Sequence, residues 1–509
     1  MTYRIGGFIR AVTAVAATCA LLWGTPVHGQ ARGAITIAIN SLGPETWWPQ
    51  DIVGNKYISS TIGDPLLRLV SPYQIEPAIA SSWSVAPNGL TYEFTIRDDV
   101  FFHDGTKLTA EDVAFSLSPV NVEKFVGFSA MKGGNLLAVE ARGNRVTMRL
   151  KTPVPMMIDN YIVRISIWPK AYVERVGAEG FNRRPIGAGP FRFVEHAKGQ
   201  YVKMEAFDRY YGDKPKVKDL TWRVVPEPAT RMAMLRAGEA DVTYNELGTD
   251  TVELRKNRFR AQPYGQPAQN VLIFNSLVQR DMPKSRFEDV RIRQALALTV
   301  DRKAIGEAIY GGIAEPASLL LLGAKHPGFD KRFIPLPYDA ARARKLLADA
   351  GFPQGFETEL VAGTDMKDMA TLLVSFWEKV GVKARLKLLD PASLRRNWFQ
   401  HKLEGDGILL ASGLATGVGS LVYLDPKAQV AMNVSPELGA LRDAGMTISD
   451  IPKQNDWLRS TLAPAMEKLL PAVPILEYPE GVIGLGPKVK SWDKHDNHSL
   501  GLQWLVPVD

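Results

Sequence analysis

FFHDGTKLTAEDV, residues 101–113, places a histidine, three acids and a lysine within thirteen positions. Read as chemistry, it is a catalytic cluster. Read as chain geometry, it is a turn followed by a helix start. Asp104-Gly105 is a turn signal. Thr109 stands three residues before Asp112 and just ahead of Val113, Ala114 and Phe115, which is the spacing of a capping box. Glu111 and Asp112 also complement the positive end of a helix. Two of the three acids therefore have local structural work. His103 has no second histidine or cysteine near it, so a metal site lacks support. The sequence names no nucleophile for it to activate. The stretch is read as structural.

Working outward, Ile35, Ile37 and Ile39 alternate in AITIAIN and predict an opening strand. Tyr92, Phe94 and Ile96 alternate likewise, as do Val146, Met148 and Leu150, with Gly143-Asn144 as a hairpin turn before the latter. After residue 285 the pattern turns helical. Asp289, Asp301 and Asp339 are expected N-caps, and Gly351 and Gly381 expected stops. Leu372, Leu373, Phe376, Trp377 and Val380 form a helix stripe that feeds the alternating strand VKARLKL, an α/β unit.

Length and composition suit a globular chain of about three units. The segment from Arg4 and Arg10 through the apolar run Ala11–Trp23 to Gly29-Gln30-Ala31 reads as a secretory signal peptide, residues 1–31. The single cysteine, Cys19, lies inside that run and is poorly placed for lipidation. Cleavage after Ala31 leaves a thiol-free protein suited to an exported, periplasmic setting. The net charge of +7 falls to near +5 without the signal and is spread out, which argues against a nucleic-acid surface. No Walker loop, G-x-S-x-G elbow, zinc spacing or Rossmann glycine run appears, and no cofactor is expected.

Longer motifs carry a resemblance. EPAIASSWSVAPNGLTYEFTIRDDVFFHDGTKLTAEDV (76–113), PIGAGPFRF (185–193), MLRAGEADV (234–242), LIFN (272–275), FEDVRIRQALALTVDRKAI (287–305) and YDAARARKLLADAGF (338–352) occur in the order found in bacterial extracellular solute-binding proteins of family 5. The chain resembles that family over nearly its whole length. Ala188 and Phe191 are mild departures from the family's glycine-rich stretch.

The resemblance implies an α/β fold of the two-lobed periplasmic-binding-protein type: a Venus flytrap of type II, cluster C-like, with an extra strand-rich subdomain. Lobe I would comprise 32–70, 186–275 and 474–509, with the subdomain at 71–185 and lobe II at 276–473. The hinge would lie at Phe274, Asn275, Val473 and Ile475. The implied role is capture of a small organic solute by a monomer that serves an ABC transporter permease in the inner membrane. It implies no enzyme activity and no metal. An exported hydrolase using His103 and a sensory receptor uncoupled from transport stand as alternatives.

Dipeptide-binding members of the family carry an aspartate late in lobe II for the peptide amine. They also carry an arginine before the helix that here contains Trp377. GDGILLASGLATGVGSLVYLDP (405–426) and VAGTDMKDMA (361–370) have neither in the expected place. The solute is therefore left open among an oligopeptide, a modified peptide, an opine and a glycoside. Trp47 and Trp48 are ligand candidates as flat rings near the cleft, with the core as the other reading. Ser412, Gly413, Thr416 and Gly417 supply hydroxyls and bare amides, or else form a plain surface loop. Trp398 is a further candidate, although its spacing suits a helix face.

Overall fold

The computed structural model describes residues 33–508 apart from 44, 48–59, 72–73, 125–130, 247–248, 266, 279–284, 321, 414–416, 426–430, 433–434, 480 and 493–500. The expected signal peptide lies outside the described residues.

The chain builds its strands in order: β1 (Ala34–Ile39), β2 (Phe191–Ala197), β3 (Tyr201–Ala206), β4 (Asp219–Val224), β5 (Val242–Glu246), β6 (Arg260–Tyr264), β7 (Ala268–Phe274), β8 (Glu315–Pro316), β9 (Glu357–Gly363), β10 (Lys383–Leu389), β11 (Gly407–Gly413), β12 (Val473–Tyr478) and β13 (Gly481–Leu485). Among the described residues these form two mixed sheets. The first has the order β6-β13-β5-β1-β4-β3-β2, and the second β8-β12-β7-β11-β9-β10. In the first sheet β1 lies parallel to β4 and β5. β13 arrives from the C-terminal end of the chain and inserts antiparallel between β5 and β6. Ile35, Ile37 and Ile39 are buried, as their alternation predicts, in a core with Trp168, Trp222, Tyr244 and Trp492.

The second sheet is buried on both faces. Leu272 and Phe274 of β7 join one core, and Val271 and Ile273 join the other. Helix α1 (Ala110–Ser116) packs in the strand-rich piece, and the first of these cores is closed by helices α2 (Val290–Leu298), α3 (Arg302–Tyr310), α4 (Ala340–Asp349) and α5 (Lys367–Glu378), as their buried stripes show. The three expected caps are present. Asp289, Asp301 and Asp339 accept from the backbone N–H of Arg291, Ala304 and Arg342 at 2.8–3.0 Å. Such caps each stabilise a helix by about 1 kcal/mol.

The strand-rich piece is a separate antiparallel sheet of Ala80–Val85, Thr91–Ile96, Arg145–Leu150 and Leu136–Arg142, in that order. Its alternating Tyr92, Phe94, Ile96, Val146, Met148 and Leu150 face its own core. Arg142 pairs with Arg145 across Gly143-Asn144, and Gly143 has φ +58°, as a two-residue hairpin requires.

The crossing between the two sheets differs from expectation. The chain leaves the first sheet after Tyr264, enters the second at Ala268, and returns between Tyr478 and Gly481. Phe274 lies at the far end of β7, opposite Gly407, with Asn275 just beyond. Val473 begins β12 on the same far side. Ile475 is buried within the second sheet's core. All four expected hinge residues therefore sit inside lobe II. The reason is physical: a strand buried on both faces has no polar side to mark which sheet it joins. At the observed crossing the Tyr264 ring lies against Gly481. A β-carbon on Gly481 would fall 2.5 Å from the Tyr264 ring.

Candidate functional site

Register fixes where the strand ends point. Ala268 pairs with both Gly413 and Tyr478, and Tyr264 pairs with Gly481. β11 runs parallel to β9, and β1 parallel to β5. The C-terminal ends of β1, β5, β9 and β11 thus all lie at the level where the chain crosses between sheets. Open α/β sheets bind ligands outside these ends. A cavity of about 440 Å³ opens beside the crossing, lined from both sheets by Arg255, Tyr264, Pro267, Glu315, Lys325 and Tyr478, among others. The Arg255 guanidinium spans the two sides and donates to the Gly311 carbonyl at 2.8 Å.

The expected ligand residues divide. Ser412 and Gly413 end β11, paired with Gln269 and Ala268 at the crossing level. Gly417 opens a short 3-10 segment, Gly417–Leu424. Trp48 and Thr416 lie outside the described residues. Trp47 is a core residue at 2% exposure. Its backbone N–H donates to Asn182 Oδ1 at 2.7 Å, and its ring meets His196 edge-on at 5.0 Å. His196 is held in turn by Glu45 at 2.7 Å. Trp398 is also core, at 8% exposure, with its indole N–H donating to the Ala431 carbonyl at 3.4 Å. Neither ring presents a face to a solute here, because each fills space that its own lobe would otherwise leave empty.

The opening histidine is resolved by its contacts. The Gly187 N–H donates to His103 Nδ1 at 3.4 Å, and His103 Nε2–H donates to the Gly189 carbonyl at 3.0 Å. Both ring nitrogens are thereby committed in one neutral tautomer. Gly187 and Gly189 belong to PIGAGPFRF, and β-carbons on them would lie 2.3 and 2.4 Å from the carbonyls of Ile62 and Thr61. The histidine pins a glycine strand that must pass tightly against residues 61–62. Nearby, the Asp112 carboxylate accepts from the Thr109 N–H and hydroxyl, both at 2.9 Å, and from the Lys170 N–H at 2.9 Å. The Asp104 carboxylate accepts from Thr106 within its own turn. His103, Asp104 and Asp112 are thus all engaged in holding the chain.

Burial pushes the His103 imidazole down to about 4 from 6.5, and burial does the same to His326. Below pH 6.5 the unfolded chain takes up these protons before the folded one. Stability from both histidines is therefore complete above pH 6.5 and is lost as pH falls toward 4, by at most about 3 kcal/mol for each. Urea midpoints at about pH 7 and about pH 4.5 should show this loss in the native protein, and His103→Asn should remove close to half of it.

Sequence reasoning missed one group altogether. At the crossing end of the second sheet, the rings of Tyr310 and Tyr478 stack at 4.8 Å. Tyr478 donates to Tyr310, which donates to Asn270 Oδ1 at 3.0 Å. Burial raises both phenols, so they stay protonated donors. Asp365 follows the end of β9 and lies within electrostatic reach of both rings. These four residues come from four distant points of the chain, and no local pattern links them.

Comparison with known proteins now decides the family. The profile described as bacterial extracellular solute-binding proteins, family 5 Middle, matches residues 74–421. The chain belongs to this family. The solute-binding protein is 31% identical to heme-binding protein A of Haemophilus influenzae over 360 residues, which cover 63% of each chain. It is 28% identical to the dipeptide-binding protein of Escherichia coli over 381 residues, 67% of this chain and 69% of that one. HbpA2 of Haemophilus parasuis superposes with a TM-score of 0.79 at 22% identity, covering 94% of this chain and 99% of the other. That superposition shows the two-lobed periplasmic-binding-protein fold. The family is one of binding proteins rather than enzymes, which removes the hydrolase alternative based on His103.

Proposed function

We propose that this protein captures a small organic solute between its two lobes outside the inner membrane and delivers it, unaltered, to the permease of an ABC importer. The observation that carries the reading is the pair of crossings at Tyr264–Ala268 and Tyr478–Gly481. Two α/β sheets with separate cores are joined by two short segments, and the C-terminal ends of their central strands meet at that level. Such a connection permits hinge closure over a guest. Polar contacts strengthen as water leaves the closed cleft.

A peptide or modified peptide is the solute class we favour. Relatives described as dipeptide-binding and heme-binding support an organic guest of that size. Opines and glycosides are the other members of the proposed class. The signal-like segment at residues 1–31 supports export to the periplasm.

Mass spectrometry of solute released by denaturing the native protein would name the guest. Adding that guest back should shrink the radius of gyration toward the roughly 23 Å of a compact chain of this length. At a hundredfold excess over Kd it should also stabilise the fold by about 2.7 kcal/mol. An unchanged scattering profile, or a guest recovered in cleaved form, would overturn the reading.

A further inference from the structure

The strand-rich piece touches both lobes. Ile186 packs against its core and against the core of the first sheet, and Phe115 of α1 joins the latter. Met446 of lobe II packs against the strand-rich core and against a core of the second sheet at once. Gln454, in the helix Ile451–Trp457, is fully buried. Its Nε2 donates to the Ile448 carbonyl at 2.6 Å within lobe II and to the Pro155 carbonyl at 3.2 Å in the strand-rich piece. Ser449 rests on the hairpin turn before Thr91–Ile96, where a β-carbon on Gly89 would fall 2.2 Å from Ser449 Oγ. These residues belong to neither crossing and do not line the cavity beside it.

A hinge that closes over a guest must make and break whatever touches across it. The chemistry of this contact suits that. Packing of Met446 and the hydrogen bond from Gln454 to Pro155 favour it. Against them, Ser449 Oγ and Gln454 Oε1 are buried there with no hydrogen-bond partner among the described residues. Buried oxygens that find no donor oppose burial, and opening the contact returns them to solvent. Favourable and unfavourable contributions therefore oppose each other within one small surface, so modest forces move it either way.

We propose that residues 446–454 of lobe II and the strand-rich piece, at Gly89 and Pro155, form a clasp that makes and breaks with solute capture. Within it Ser449 is a positioning residue that sets the strength of closure without touching the solute. This rests on the capture reading given above and adds to it a second joint, through which affinity is tuned from outside the binding cavity. Ser449→Ala deletes a buried hydroxyl that has no partner and so favours closure. Ser449→Arg sets a long charged side chain against Gly89 and wedges the clasp open.

The test uses the exported protein, whose one natural cysteine, Cys19, lies in the signal-like segment. Its probe is the low-molecular-mass fraction that urea releases from the native protein, added back to protein stripped of it. Gly89→Cys combined with Ser449→Cys reports on the contact directly. A β-carbon at position 89 would lie 3.1 Å from Ser449 Cβ, close to the roughly 3.8 Å of a disulfide. Copper-phenanthroline should close this disulfide at least about tenfold faster with the fraction than without it. Ser449→Arg should raise the amount of fraction that half-shrinks the radius of gyration by about tenfold, and Ser449→Ala should lower it by about half. Both single variants, stripped, should melt as the native protein does; a merely structural role would move the melting curve and leave the half-shrinking amount alone. Equal disulfide rates with and without the fraction, or two Ser449 variants that respond like the native protein, overturn the clasp alone. A fraction that leaves the native radius unchanged overturns the capture reading and the clasp with it.

Discussion

Arg68→Met is expected to destabilise the fold by about 3–5 kcal/mol, the cost of leaving a buried charge without its partner. Arg68 Nη2 lies 2.6 Å from Asp64 Oδ2, and both side chains are under a tenth exposed. The same carboxylate oxygen accepts from Tyr210 at 2.8 Å and Tyr211 at 2.6 Å. Arg68 also donates to the Tyr210 oxygen at 2.5 Å and lies 5.7 Å from the Trp504 ring. Burial works against the guanidinium's charge, yet Asp64 and the two phenols hold it protonated, above its ordinary range. The network ties residues 64–68 to 210–211 and to the C-terminal segment.

Removal of the arginine strands the aspartate with two phenol donors and no counter-charge. The double variant Asp64→Leu with Arg68→Met should recover part of the loss, since no charge is then buried. It should not recover all of it, because the two tyrosines lose their acceptor, at about 1–3 kcal/mol for each unsatisfied hydroxyl. Urea unfolding at neutral pH, with slopes compared, separates these outcomes. A single variant within about 1 kcal/mol of the native protein would show that water reaches the pair and screens it.

What the sequence disclosed follows from the range of the physics involved. Asp289, Asp301 and Asp339 were readable as caps because each bonds to an amide two or three residues away. The Asp112 box and the Gly143-Asn144 hairpin are local in the same sense. The half-buried strand Thr91–Ile96 announces its inner face through Tyr92, Phe94 and Ile96. The lobe boundary has no such signal. AQNVLIF is buried almost throughout, so neither its period nor its composition tells which sheet it joins, and the expected crossing at Phe274 falls one strand length past the observed one.

The candidate site was legible only where the chain itself brings it together. The end of β11, with Ser412 and Gly413, follows from reading a strand and its exit loop. Trp47 could not be assigned from its neighbours, because an aromatic ring serves a core and a cleft equally well. Its burial is set by Asn182 and His196, more than a hundred residues away. Asp365 with Tyr310 and Tyr478 is invisible for the same reason. β9, α3 and β12 meet only after the second sheet has formed, and each residue alone is an ordinary surface or strand side chain.

Arg302→Met should cost about 3–4 kcal/mol of stability and, unlike Arg68→Met, should also weaken solute capture. Among the described residues Arg302 has no carboxylate partner, and burial lowers its guanidinium to about 10. Its charge is held there by carbonyl dipoles. Nε and Nη2 donate to the Pro474 carbonyl at 3.2 and 3.0 Å, and Nη1 donates to Ala297 and Leu336 at 3.1 and 2.9 Å. Pro474 lies where the pairing of β12 with β7 slips, between Asn270 and Val271. Arg302 supplies the donor that a regular ladder would have supplied there. Lysine offers a point charge rather than a planar fork and cannot reach three carbonyl positions at once, so Arg302→Lys should recover less than half of the loss. β12 leads directly to Tyr478 and the return crossing, and α3, which Arg302 begins, ends at Tyr310. A loosened seat for β12 therefore disturbs the tyrosine pair and the crossing together. Affinity for the co-purified solute should fall about tenfold, equivalent to 1.4 kcal/mol, in protein that is still fully folded. Arg68→Met, which acts far from the crossing, should leave the affinity of the folded fraction unchanged. Equal affinity in both variants would show that β12 transmits nothing from its buried end to the site.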